Sequence, residues 1–114
     1  MLLVMPLRFV RAASVGDLAS GQVKQVKLEG LDVLLTNWEG TYYAVSNSCP
    51  HWGVELHWGW VRDRAIMCGW HGYRYDLVTG EQQGWQDTGD LPTYPVRIRW
   101  KGVYVGLRVA DPPA

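Results

Sequence analysis

Leu31-Asp32-Val33-Leu34-Leu35-Thr36-Asn37-Trp38-Glu39-Gly40-Thr41-Tyr42-Tyr43-Ala44-Val45-Ser46 reads as two strands joined by a turn. Leu31 to Thr36 and Thr41 to Ser46 are rich in β-branched and aromatic side chains, which suit a pleated surface. Asn37-Trp38-Glu39-Gly40 between them is turn-like. Working outward, Val23 to Leu28 alternates imperfectly, and Ala65-Ile66-Met67 and Tyr73-Arg74-Tyr75 look like further short strands. Val96 to Trp100, with Lys101-Gly102 as turn and Val103 to Leu107 as return, reads as a hairpin. Apolar residues never settle into helical spacing, and only Ser14 to Leu18 has a capped, helix-like start, about one turn long. Thirteen glycines and six prolines punctuate the runs at short intervals, so the expected fold is an all-β sandwich or barrel.

The chain has 114 residues, one domain's worth, with 47% hydrophobic and 19% charged residues, which excludes a disordered segment. Eleven basic residues balance eleven acidic ones. A zero net charge supplies no overall field for nucleic acid or an anionic membrane, so neither is expected as a partner. The run Met1-Leu2-Leu3-Val4-Met5-Pro6-Leu7 has no basic residue before it and is too short for a signal core, and no stretch approaches the ~20 apolar residues of a membrane span. A cytoplasmic protein is the expectation. In that reducing setting, Cys49 and Cys68 are better read as metal ligands or catalytic groups than as a disulfide.

Two segments stand apart: Cys49-Pro50-His51 and Cys68-Gly69-Trp70-His71. Each supplies one thiol and one imidazole, and each follows an expected strand, so both can sit on loops at one end of a sheet. Pro50 biases Cys49 toward an extended backbone, and Gly69 and Gly72 permit close backbone approach. Two thiolates with two imidazoles suit a [2Fe–2S] centre in which histidines replace two cysteines on one iron. The same four side chains also admit a structural zinc site or a Cys49–Cys68 disulfide. Zinc motifs, however, usually pair cysteine with cysteine and histidine with histidine. A Cys–His nucleophile would explain one pair and leave the other without a role.

The paired C-x-H and C-x-x-H motifs, with Gly72-Tyr73-Arg74-Tyr75-Asp76, Thr79-Gly80 and Leu91-Pro92-Thr93-Tyr94-Pro95-Val96, resemble the Rieske family, and in particular the soluble ferredoxins of ring-hydroxylating oxygenase systems. The resemblance implies a single domain over 1–114. Its fold would be an antiparallel β sandwich with a small two-loop cluster-binding subdomain at about 47–76. It implies one [2Fe–2S] cluster, with Cys49 and Cys68 on the inner iron and His51 and His71 on the outer one. Two ferric ions, two sulfides and two thiolates sum to zero charge, which eases reduction relative to an all-cysteine centre. Unlike the high-potential members of cytochrome complexes, this chain has Val54 and Trp70 where a second cysteine pair would stand, and Tyr73 in place of a serine. It keeps Tyr75 at the position of the cluster-facing tyrosine. A potential toward the low end of roughly −150 to +300 mV follows. In Gly84-Trp85-Gln86, Trp85 is a candidate to cover the cluster where soluble members carry a proline-containing loop.

The implied function is one-electron transfer from a flavin-dependent reductase to a terminal ring-hydroxylating oxygenase. The carrier would be a monomer and would perform no substrate chemistry of its own. The alternative is the small Rieske-like subunit of an assimilatory nitrite reductase. Outside the motifs, His57 reads as a hydrogen-bonded loop residue and not a ligand, and Asp63, Asp76 and Asp87 as solvated turn residues. Trp38 and Trp100 are expected to pack, whereas Trp52 and Trp70, beside the ligand histidines, are expected to shield the cluster or dock a partner. Trp58 and Trp60 could extend either surface. With zero net charge, docking is expected to depend weakly on salt.

Overall fold

The computed structural model describes residues 6–50, 53–69, 72–84 and 89–108. Its described elements are eleven strands and one 3₁₀ turn (Leu56–Trp58), arranged as three antiparallel sheets. The first sheet orders β1 (Leu7–Ser14), β11 (Gly102–Arg108) and β10 (Val96–Arg99). The second orders β2 (Val23–Leu28), β3 (Leu31–Trp38), β4 (Thr41–Ser46) and β9 (Thr93–Tyr94). The third, between β4 and β9 in the chain, runs β5 (Trp60–Arg62), β6 (Ala65–Met67), β7 (Arg74–Asp76) and β8 (Gln82–Gln83).

The β3–β4 hairpin is buried on both faces because both of its alternating sets are apolar. Val33, Leu35 and Ala44 join Val103, Val105 and Leu107 of the first sheet in one core. Leu34 and Val45, paired across the hairpin, join Leu56, Ile66, Tyr75 and both cysteines in the other. The molecule is therefore layered: outer sheet, shared middle sheet, then the third sheet with its loops. That is the expected all-β sandwich with an added subdomain.

Details depart from the sequence reading. Ser14 to Leu18 forms a turn rather than a helix, with the Ser14 N–H donating to Asp17 Oδ2 at 2.9 Å and the Asp17 N–H to the Ser14 carbonyl at 3.0 Å. Trp100 does not pack. It is 93% exposed, in the two-residue turn between β10 and β11, with φ 56°. Gly102 was the expected turn residue, but it sits in the ladder between Ser14 and Arg99. A Cβ at Gly102 would stand 2.8 Å from the Tyr104 ring and 3.2 Å from Arg11 Nη1, so the register keeps glycine in the strand and moves the turn to Trp100-Lys101. Trp38 does pack, against the core that holds the cysteines.

Candidate metal centre

Cys49 follows β4 and Cys68 follows β6, so the middle and third sheets each deliver one thiol. Neither is in a disulfide and both are buried, with 1% and 0% of their surface exposed. The backbone around them is built twice to one plan. The Cys49 N–H donates to the Val54 carbonyl at 2.8 Å, and the Cys68 N–H to the Tyr73 carbonyl at 2.7 Å, each closing a loop on the residue five positions on. Four positions after each cysteine stands a glycine in the left-handed region, Gly53 at φ 71° and Gly72 at φ 70°. Only glycine takes that conformation without a Cβ penalty. His51 and His71, the other two expected ligands, lie between these markers in the chain but outside the described residues; Trp52, Trp70, Trp85 and Asp87 also lie outside the described residues.

The donor set fits a cluster. Two buried thiols on like-built loops supply the sulfur half of such a set, and a metal bound between them would hold them as thiolates. No disulfide joins them. Tyr75, fully buried on β7, brings its hydroxyl to 3.4 Å from Cys49 Sγ, within hydrogen-bond reach of a sulfur. A phenol aimed at a thiolate stabilises negative charge there without supplying a ligand.

The loops are braced from outside. Gly59 approaches the end of β6 so closely that a Cβ would lie 1.8 Å from the Met67 carbonyl oxygen, and a Cβ on Gly69 would lie 3.1 Å from the Trp58 carbonyl oxygen. Backbone thus touches backbone beside Cys68. At the root of the first loop stands fully buried Asn47, which sequence reasoning missed. Its Oδ1 accepts from the His57 N–H at 2.9 Å, and its Nδ2 lies 3.2 Å from Asp32 Oδ2 and 2.9 Å from His57 Nδ1. His57 is accordingly a hydrogen-bonded loop residue, as expected, with Glu55 Oε2 3.3 Å from the same ring nitrogen. No signal in the sequence marks Asn47, because its partners Asp32 and His57 are 15 and 10 residues away.

Asp76 ends β7 and organises the turn that follows. Its Oδ2 accepts from the Val78 and Thr79 N–H groups at 2.9 and 2.8 Å and from the Thr79 hydroxyl at 3.2 Å. Burial pushes its carboxyl upward, but these bonds and nearby Arg64 outweigh burial and hold it below its ordinary value of 3.8. Asp76 is therefore a structural turn residue, less solvated than its expected role. Trp58 and Trp60 are exposed, 74% and 49%, on the stretch that abuts the second loop.

The family description "Rieske [2Fe-2S] domain" matches residues 8–95, most of the chain. The chain belongs to this family. The Rieske match carries with it one [2Fe–2S] cluster, in agreement with the paired loops. Among curated relatives, the ferredoxin component of the naphthalene 1,2-dioxygenase system of Pseudomonas putida is 32% identical, over 90% of this chain and 99% of the relative. Among solved structures, the ferredoxin of Sphingomonas yanoikuyae B1 superposes with a TM-score of 0.81 at 25% identity, covering 88% of this chain and 99% of that one. A putative NADH-dependent nitrite reductase small subunit from Mycobacterium tuberculosis superposes equally well, with a TM-score of 0.82 at 25% identity over 93% and 99% of the two chains. No helix among the described residues is long and apolar enough to cross a membrane.

Proposed function

We propose that this Rieske protein is a one-electron carrier in the cytoplasm, acting as a monomer between a flavin-dependent reductase and a terminal ring-hydroxylating oxygenase. The observation that carries the reading is the end-to-end match to a dioxygenase-system ferredoxin, together with two like-built loops presenting buried thiols. Cys49, His51, Cys68 and His71 are the residues that would hold the cluster, within a single domain whose cluster loops span about 47–76. Bound there, a [2Fe–2S] centre stores and releases one electron.

The chain's own residues do the rest. Burial of Cys49 and Cys68 keeps water from the sulfurs, and the Tyr75 hydroxyl donates toward Cys49 Sγ, favouring the more negative state. The Asn47–His57 and Gly59–Gly69 contacts fix the loop bases, which limits the reorganisation that accompanies electron transfer. Exposed Trp58 and Trp60 give a partner apolar surface beside the second loop.

The nitrite-reductase-subunit reading is supported by fold likeness, which fits both proteins equally. Sequence similarity favours the carrier. Anaerobic visible and EPR spectra with iron and sulfide assay, followed by reduction with NADH and a flavin reductase, test it. About two irons and two sulfides per chain, and rapid enzymatic reduction, are expected. A colourless zinc protein, or one obtained only bound to a large reductase subunit, would overturn the carrier assignment.

A further inference from the structure

The zero net charge conceals a strong asymmetry. Strands β1, β10 and β11, with the turn joining the last two, carry Arg8, Arg11, Arg97, Arg99, Lys101 and Arg108. Six of the eleven basic residues are therefore here, and none of the eleven acidic ones, although Arg8, in the row of Leu107, is paired with Glu29 of the neighbouring turn. The remainder of the chain holds five basic residues against eleven acidic. Register places Arg11, Tyr104 and Arg97 in one row across the sheet, Phe9 beside Gly106 in the next row, and Gly102 beside Arg99 at the other end. These residues share the face opposite Val103, Val105 and Leu107, which point into the core.

That outer face is organised. A Cβ at Gly106 would stand 3.1 Å from the Phe9 ring, and the Arg97 guanidinium lies 4.1 Å from the same ring's centroid. Arg11 lies over Gly102 beside Tyr104 and donates to Ser14 Oγ at 2.7 Å. One guanidinium thus lies over an aromatic ring and the other over a glycine, on a face whose arginines are exposed. At the rim, Trp100 projects almost fully exposed from the turn.

We infer that the outer face of the β1–β11–β10 sheet is a second docking surface, and that its occupant is a carboxylate-rich face of a partner protein. Arginine forks match carboxylate pairs, and arginine, tyrosine and tryptophan are the residues that interfaces concentrate. Three strands by seven residues is about 14 by 24 Å, well under the ~800 Å² per partner of a standard complex, so the contact is a transient one. A lipid surface would accept the same cations, but it also asks for clustered apolar anchors, and here exposed Leu7 and Trp100 stand at opposite ends of the sheet while Ile98 belongs to its other face. The face is separated from the cysteine-bearing core by the whole middle sheet, so a protein held there leaves the cluster loops open. The inference does not depend on the electron-carrier reading.

The test uses the ¹⁵N-labelled, cluster-loaded protein titrated with a decaglutamate peptide, and separately with phosphatidylcholine vesicles containing phosphatidylglycerol. Saturable shifts confined to Phe9, Arg11, Arg97, Arg99, Gly102 and Tyr104 are expected, weakened about tenfold or more by Arg97→Glu with Arg99→Glu and by raising salt. Trp100→Ala, at an exposed turn position that cannot disturb the core, should weaken binding severalfold with an unchanged visible spectrum. Shifts spread without saturation over Lys24, Lys27, Arg62 and Arg64 would overturn the proposal. So would unaltered affinity in the double variant, or binding to the vesicles with none to the peptide.

Discussion

Removing one oxygen from Tyr75 isolates a single contribution to the redox potential. Tyr75 has no exposed surface, and its ring packs in the core with Ile66 and Leu91, so Tyr75→Phe deletes the hydroxyl and leaves the packing in place. The hydroxyl lies 3.4 Å from Cys49 Sγ. Reduction adds a negative charge to the thiolate-ligated centre, so donation to sulfur is stronger after reduction than before. Taking the differential as one ordinary net hydrogen bond, about 0.5–1.5 kcal/mol, and 59 mV per 1.4 kcal/mol for one electron, the variant's midpoint falls by about 20–60 mV. Spectroelectrochemical titration of both proteins at one pH measures it, with thermal unfolding as the control for packing. An unchanged or raised midpoint in a normally folded variant would refute the donor role of Tyr75.

Three further outcomes follow from the same geometry. Asp76→Asn weakens the turn after β7 by about 1–2 kcal/mol in denaturant unfolding at neutral pH. Because the folded carboxyl sits below 3.8, its contribution is complete above that value and is lost as pH falls through the depressed one. The gap between the two proteins therefore closes under strong acid, and a gap that persists there would contradict the assignment. Gly59→Ala places a methyl 1.8 Å from the Met67 carbonyl oxygen, so it costs about 3 kcal/mol or more and lowers iron content; wild-type values of both would disprove the close approach. Cys49→Ala loses the cluster, since a thiolate ligand is gone and metal binding is coupled to folding. Full iron content by colorimetric assay in that variant would remove Cys49 from the ligand set.

How far the sequence led depended on whether a feature was local. Leu31 to Ser46 and Ala65 to Met67 were legible as strands because strand-forming runs lie together in the chain, but Asn37 and Trp38, read as turn, pair with Tyr42 and Thr41 and extend β3, so the turn is Glu39-Gly40 alone. β1 was not, because a register shift between Arg11 and Ala13 breaks the period-two pattern that would have marked it. β5 is only three residues long, too short for periodicity to show. The cysteine pair stood out by spacing, and Tyr75 by resemblance. The Asn47–His57–Asp32 contacts and the Arg97–Phe9 stack are tertiary, joining positions that nothing in the linear order connects. Trp100 misled for a related reason: its neighbours look like a strand, while the steric demand at Gly102 that sets the turn comes from Arg11 and Tyr104.

The middle hairpin is a party wall. Val33 and Leu35 serve the tenant on one side, Leu34 and Val45 the tenant on the other, and both cysteines live in the second dwelling. A protein stripped of its metal therefore loses furniture from one side only. The β1–β11–β10 side keeps a core of its own with Val33 and Leu35, so loosening on metal loss is expected to begin at the third sheet and its loops.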